Sequence, residues 1–185
     1  KLDVESASEQ ASTLRWRLAE VQYGLGHLDA ALKAVDEAIA KAVDVRSHAD
    51  ELQARLLKVR ILAAMKRERE ARAELAVVKQ GLVRYASVPL RLRLAETSLL
   101  LGGAQATADY REARILLARL PAYGHAFMIH QLGARAAQAG SDSGREAQSL
   151  AREAFEAMRK QTPEARHTTL RSWAKSMGYE EAPTP

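Results

Sequence analysis

Apolar residues recur along this chain at the spacing of one helical face. Leu14, Leu18, Val21 and Leu25 follow at three- and four-residue intervals, Gly26-His27 interrupts them, and Leu28, Ala31, Leu32, Val35, Ala38 and Ile39 resume the rhythm. That period belongs to an amphipathic helix, and the strict alternation of a half-buried strand is missing. The same pattern predicts helix pairs over 48–65 and 68–84, over 89–101 and 108–120, and over 123–139 and 143–160. Pro121 ends one of them, because proline lacks the N–H and clashes with the preceding turn. Ser141, Asp142 and Ser143 offer N-caps for the helix that follows. Thr162-Pro163-Glu164 reads as the start of a last helix over 163–178, with Thr as cap and Pro in the first turn. Residues 179–185 are left as a short tail.

The pattern repeats. LRWRLAEVQYGLG at 14–26 and LRLRLAETSLLLG at 90–102 share eight of thirteen positions at an offset of 76. Half of that offset, 38, brings LQARLLKVRILAA (52–64) under them, with Leu52, Arg55 and Leu56 beneath Leu14, Arg17 and Leu18. Carried onward, the period predicts turns at Gly26, Ala64, Gly102, Gly140 and Gly178. Two helices and two turns fill 38 residues, which is one supersecondary unit of a stacked array. The predicted fold is therefore all-α, with four helical hairpins (about 9–46, 47–86, 87–121 and 122–161) and a C-terminal capping helix, in one domain spanning 1–185.

The residues inside the hairpins carry a resemblance. Leu18-Ala19, Tyr23, Gly26, Ala31, Val35 and Ala38 resemble the tetratricopeptide repeat, and Leu132-Gly133, Ala137, Gly140, Ala147, Ala151 and Ala154 resemble it again. Small residues at these places let neighbouring helices approach closely. The repeat of 38 is longer than the usual 34, as in helical arrays of bacterial transcription regulators and signalling proteins. Trp16 stands one position later than the family's tryptophan, and the closing proline is absent from the first two repeats. The resemblance implies a right-handed superhelix, an α-solenoid whose first helices line a concave groove. It also implies a scaffold or protein-binding role within a larger regulatory protein.

In such an array Arg17, Arg55 and Arg93 fall at one repeated position, with Gln131 continuing the row, and the resemblance places that row in the groove. Three guanidiniums at steps of about 10 Å would each be able to grip a carboxylate bidentately. Glu20, Lys58 and Glu96 stand three residues later, so Arg17–Glu20 and Arg93–Glu96 can instead close as surface pairs. Lys58 cannot neutralise Arg55, and those two make the predicted anion-seeking spot. Trp16 and His130 belong to the neighbouring row. An exposed Trp16 would be a binding anchor, but a core position is the expectation for it and for Tyr23. Candidate groove residues are thus Arg17, Glu20, Arg55, Lys58, Arg93, Glu96, His130 and Gln131.

Charge sharpens the partner. The net charge is +5, yet residues 52–119 carry 14 basic and 6 acidic side chains while residues 1–51 carry 6 and 10. An acidic protein or peptide is drawn to such a middle third. Nucleic acid is the weaker alternative, since aromatics are 5% of the chain and stacking platforms are scarce. Homo-oligomerisation is a further alternative.

Catalytic patterns are missing. There is no cysteine, no H-E-x-x-H, no EF-hand loop, and Gly102-Gly103 is not followed by the Lys-Ser/Thr of a phosphate loop. His125 and His130, five apart, do not share a helical face. Ser141-Asp142-Ser143-Gly144 has no preceding strand and so is no nucleophile elbow. The expectation is a binding protein with no enzyme activity, cofactor or metal. No apolar run reaches the ~18 residues of a membrane span. A chain opening at Lys1 reads as a processed product or part of something longer. Cytoplasm is the expected compartment over periplasm.

Overall fold

The computed structural model describes residues 14–83, 85, 87–120, 123–137 and 141–179. Among them every regular element is helical: α1 (from 14 to 24), α2 (Leu28–Asp44), α3 (His48–Ala64), α4 (Glu68–Leu82), α5 (Val88–Leu101), α6 (Ala106–Arg119), α7 (Ala126–Ala136), α8 (Asp142–Gln161), a 3-10 turn (Glu164–Arg166) and α9 (His167–Ser176). The chain divides into two compact units, residues 1–97 and 98–185.

In the first unit helices begin at positions 28, 48, 68 and 88, a step of twenty. The turns explain the regularity. After α1, α2 and α3 the chain closes the same hydrogen-bonded cap. The N–H of His27, Ser47 and Arg67 reaches the carbonyl five residues back, and the N–H of Gly26, Arg46 and Lys66 reaches the carbonyl three back. This Schellman arrangement needs a left-handed residue at its centre. Gly26, Arg46 and Lys66 take that conformation with φ of 78°, 56° and 60°. The repeat here is therefore 40 residues, and the second turn falls at Lys66 rather than at Ala64, which ends α3. Gly102 and Gly178 are left-handed as the period predicted, with φ of 64° and 76°. Gly140, Pro121 and the residues before 14 lie outside the described residues.

Cores follow from this register. α2 turns Ala31, Val35, Ala38 and Ala42 inward at intervals of four and three, and the first three meet Trp16 and Ala19 of α1 and Ala54, Leu57 and Ile61 of α3. The other side of α3, Leu52 and Leu56, packs with Val78 and Leu82 of α4 and Leu90 of α5. The expected apolar stripe of α1 is corrected here. Leu14, Leu18, Val21 and Leu25 are 70%, 52%, 57% and 63% exposed, because α2 packs on the Trp16–Ala19–Tyr23 side instead. Forty residues on, three of these four correspond to Ala54, Ile61 and Met65, the side of α3 that meets the hairpin before it.

The second unit is built around aromatics. Phe127 of α7, Phe155 of α8 and Trp173 of α9 gather with Tyr179, with ring centroids 4.8–5.4 Å apart. α6 meets α7 where Tyr110 lies over Gly133, whose missing side chain is what lets the ring in. Ser141 caps α8, accepting from Gly144 N–H at 3.2 Å. Thr162 does not cap the last helix. Its hydroxyl donates back to the Met158 carbonyl at 2.8 Å, the chain leaves Pro163 extended, and α9 begins only at His167. Its face is then Leu170, Trp173 and Ala174 against α7 and α8.

Candidate functional site: a cleft lined by α1, α3 and α5

A two-residue change of register moves side chains by roughly 200° around a helix. With the turns at Gly26, Lys66 and Gly102, the row containing Arg17 and Arg93 runs through Leu57, which is buried, and not through Arg55. Arg55 lies on another side of α3. Its Nε donates to Glu51 at 2.9 Å and its Nη1 to Glu74 of α4 at 2.5 Å. Burial works against its charge, but the hydrogen bonds it donates to Glu74 and Glu51 outweigh that and hold its pKa above the usual guanidinium value. Lys58 reaches Asp36 of α2 at 2.7 Å and Glu74 at 3.9 Å. The predicted unpaired spot is thus a satisfied network stitching α2, α3 and α4 together. A search for neutralising partners within one helix could not find Glu74 or Asp36.

Glu20, Arg93 and Glu96 do come together. They line one cleft with Trp16, Leu56, Leu57, Arg60 and Thr97, all on α1, α3 or α5. In the corrected register Glu20, Arg60 and Glu96 are equivalent positions on three successive first helices. The cleft is tight, with a cavity volume of about 10 Å³, room for about one water molecule.

Its wall is unevenly satisfied. Arg17 closes on Glu20 at 3.2 Å, the surface pair that the i,i+3 spacing allowed, and its guanidinium lies 4.2 Å from the Trp16 ring centroid. Trp16 is only 4% exposed, so the core expectation for it holds. Yet its Nε1–H is buried without an acceptor, and so is the Nε–H of Arg60. An indole or guanidinium N–H cut off from water and left unpaired costs about 1–3 kcal/mol. Arg60 sits with Nη1 3.8 Å from Glu96 and its guanidinium over Tyr23. Glu96 is 3% exposed. Arg93, half-buried in the lining, makes no ion pair among the described residues, and the Arg93–Glu96 pair does not form. Thr97 turns its hydroxyl to the Arg93 carbonyl at 2.8 Å. The charged residues of the lining balance, Arg60 and Arg93 against Glu20 and Glu96, and two buried N–H groups have no acceptor among the described residues. Sequence reasoning missed Arg60, whose only signal was its place forty residues after Glu20.

His130 and Gln131, in the second unit, are buried. His130 Nδ1 and the Tyr110 hydroxyl are 3.0 Å apart and buried. Burial, with a contribution from Arg114, lowers the imidazole pKa to about 4, and burial pushes the phenol up to about 12. The pair is neutral over the ordinary pH range. Gln131 donates its amide to the Gly178 carbonyl at 2.9 Å, tying α7 to the turn after α9.

Among the described residues no group of His, Cys, Asp or Glu is arranged to hold a metal ion, and no helix is long and apolar enough to cross a membrane. Comparison with family models, curated proteins and solved structures finds no match to this chain.

Proposed function

We propose that this chain is a tetratricopeptide-type helical array, an α-solenoid closed by α9, that binds a peptide or protein of acidic character. In this reading it serves as an interaction module of a larger regulatory or scaffolding protein and performs no chemistry itself. The observation that carries it is the cleft on α1, α3 and α5, where equivalent positions of three first helices converge and two arginines, Arg60 and Arg93, line the wall. The evenly stepped helices of the first unit support the array, since a step of twenty with one turn type is how stacked hairpins are built. Nucleic acid is less favoured. Four of the fourteen basic side chains of the middle segment are held on carboxylates here: Arg55 on Glu51 and Glu74, Lys58 on Asp36, Arg67 on Glu70, and Arg114 on Glu146.

Selection of a random peptide display library on the intact chain tests the reading. The expected result is enrichment of sequences rich in Asp and Glu that bind saturably and weaken with added salt. A library yielding no saturable binder, or only basic ones, rules the reading out.

A further inference from the structure

We propose that α1 is a dimerisation helix. It joins this chain to a second copy of itself through Leu14, Leu18, Val21 and Leu25, packed antiparallel about a two-fold axis. The surface lies within the first unit and does not depend on the peptide-binding reading above.

The four side chains run along the side of α1 turned away from α2, which packs on Trp16, Ala19 and Tyr23. That core already holds the helix, so a second helix docks on a preformed surface. Two occupants fit an apolar helix face at the start of an array, a preceding hairpin and a second copy. The equivalent side of α3 decides between them. There Ala54, Leu57 and Ile61 receive α2, and Lys58 reaches out to Asp36. Forty residues earlier these four positions are Leu14, Arg17, Val21 and Leu18. A helix of the α2 kind would meet an arginine where α3 offers a buried leucine, and a leucine where α3 offers a lysine. Arg17 is held by Glu20 instead, and the apolar line has moved over to Leu18 and Leu25. The result is the four-three-four spacing of a heptad seam. That spacing reads the same in both directions, as an antiparallel isologous contact requires. Leu14 then faces the second copy's Leu25, and Leu18 faces its Val21. Charge permits the contact. Arg15 and Arg17 flank the seam and come opposite Gln22 and Gly24, so no cation meets a cation. Area sets the strength. The four exposed residues amount to about 500 Å², the size of the largest apolar patch on a monomer, which is often functional. Two such patches make about 1,000 Å², where specific but weak interfaces begin. The dimer is therefore a reversible one in the micromolar range.

Sedimentation equilibrium of the intact chain, from low micromolar to millimolar concentration and at low and high salt, tests the proposal. The expected result is a monomer–dimer equilibrium that added salt leaves intact, because the seam is apolar. Leu18→Glu puts a carboxylate into the seam and is expected to weaken the dimer by about tenfold or more. Circular dichroism and melting at concentrations where the parent is monomeric should not change, since Leu18 is exposed there. Val21→Lys is expected to weaken the dimer in the same way. Mixing the two variants should restore dimers, because position 18 of one copy faces position 21 of the other and the opposite charges then pair. A chain that stays monomeric throughout overturns the proposal, whether another helix or the chain's own residues 1–13 cover the face. A dimer of unchanged affinity in Leu18→Glu, a dimer that dissolves in salt, or a larger assembly also overturns it. So does a mixture of the two variants that fails to recombine, since the antiparallel register is then wrong.

Discussion

The two units solve the same packing problem with opposite materials. In the first, α2 meets its neighbours through alanine and valine, with Ala31, Val35, Ala38 and Ala42 fully buried, and every turn from α1 to α4 has one form. In the second, four rings fill the space among α7, α8 and α9, and Tyr110 fills the gap left by Gly133. Small side chains fix a short distance between helices and hand it on unchanged, so they suit a repeat. Large rings fill whatever volume is left, so they suit an end that does not repeat. Polar groups close internal networks in both, Arg55 with Glu51 and Glu74 in the first, Tyr110 with His130 and Gln131 with the Gly178 carbonyl in the second.

That contrast is open to breakage from either side. The second unit depends on bulk, so Phe155→Ala is expected to cost about 3–5 kcal/mol in a denaturant titration. A loss under 1 kcal/mol would mean that the ring cluster does not hold the unit. The first depends on tightness, so enlargement hurts it. Ala38→Leu is expected to cost about 1–3 kcal/mol, because α1 and α3 leave the side chain no room. A neutral result would show that the alanine face is not close-packed.

Acid should act on the second unit. His130 has a folded pKa of about 4 against 6.5, so the unfolded chain binds the extra proton first. Its contribution is whole above pH 6.5, shrinks as pH falls toward 4, and is gone below. Melting temperature measured from pH 7 to 4 should fall less steeply in His130→Gln than in the parent. Identical slopes would place the acid sensitivity elsewhere.

The smallest effect sharpens the turn assignment. Lys66 holds a left-handed conformation that a side chain resists, so Lys66→Gly is expected to stabilise the chain by about 0.5–1 kcal/mol. Ala64→Gly, in the last turn of α3, should not.

These turns also show what the sequence could reveal. The helices and most of their limits were legible, since amphipathic periodicity survives any error in register. The period itself was not. Two of the first unit's left-handed positions are Arg46 and Lys66, so a search guided by glycine steps over them and averages 40 and 36 into 38. The error of two residues at Lys66 put Arg55 where Leu57 belongs and made a ladder of three arginines that the helices do not build. Glu20, Arg93 and Glu96 survived because the offset of 76 between α1 and α5 is unaffected. Arg60 was out of reach for the same reason. The exposed stripe on α1 was misread because periodicity reports an apolar face without saying which neighbour covers it.

The chain has two tryptophans, and they fall one to a unit: Trp16 in the alanine core, Trp173 at the edge of the ring cluster. Each half of the molecule thus carries its own native fluorophore. With either indole replaced by phenylalanine, emission reports on one half alone, and overlaying the two melting curves would reveal whether the halves come apart together or in turn.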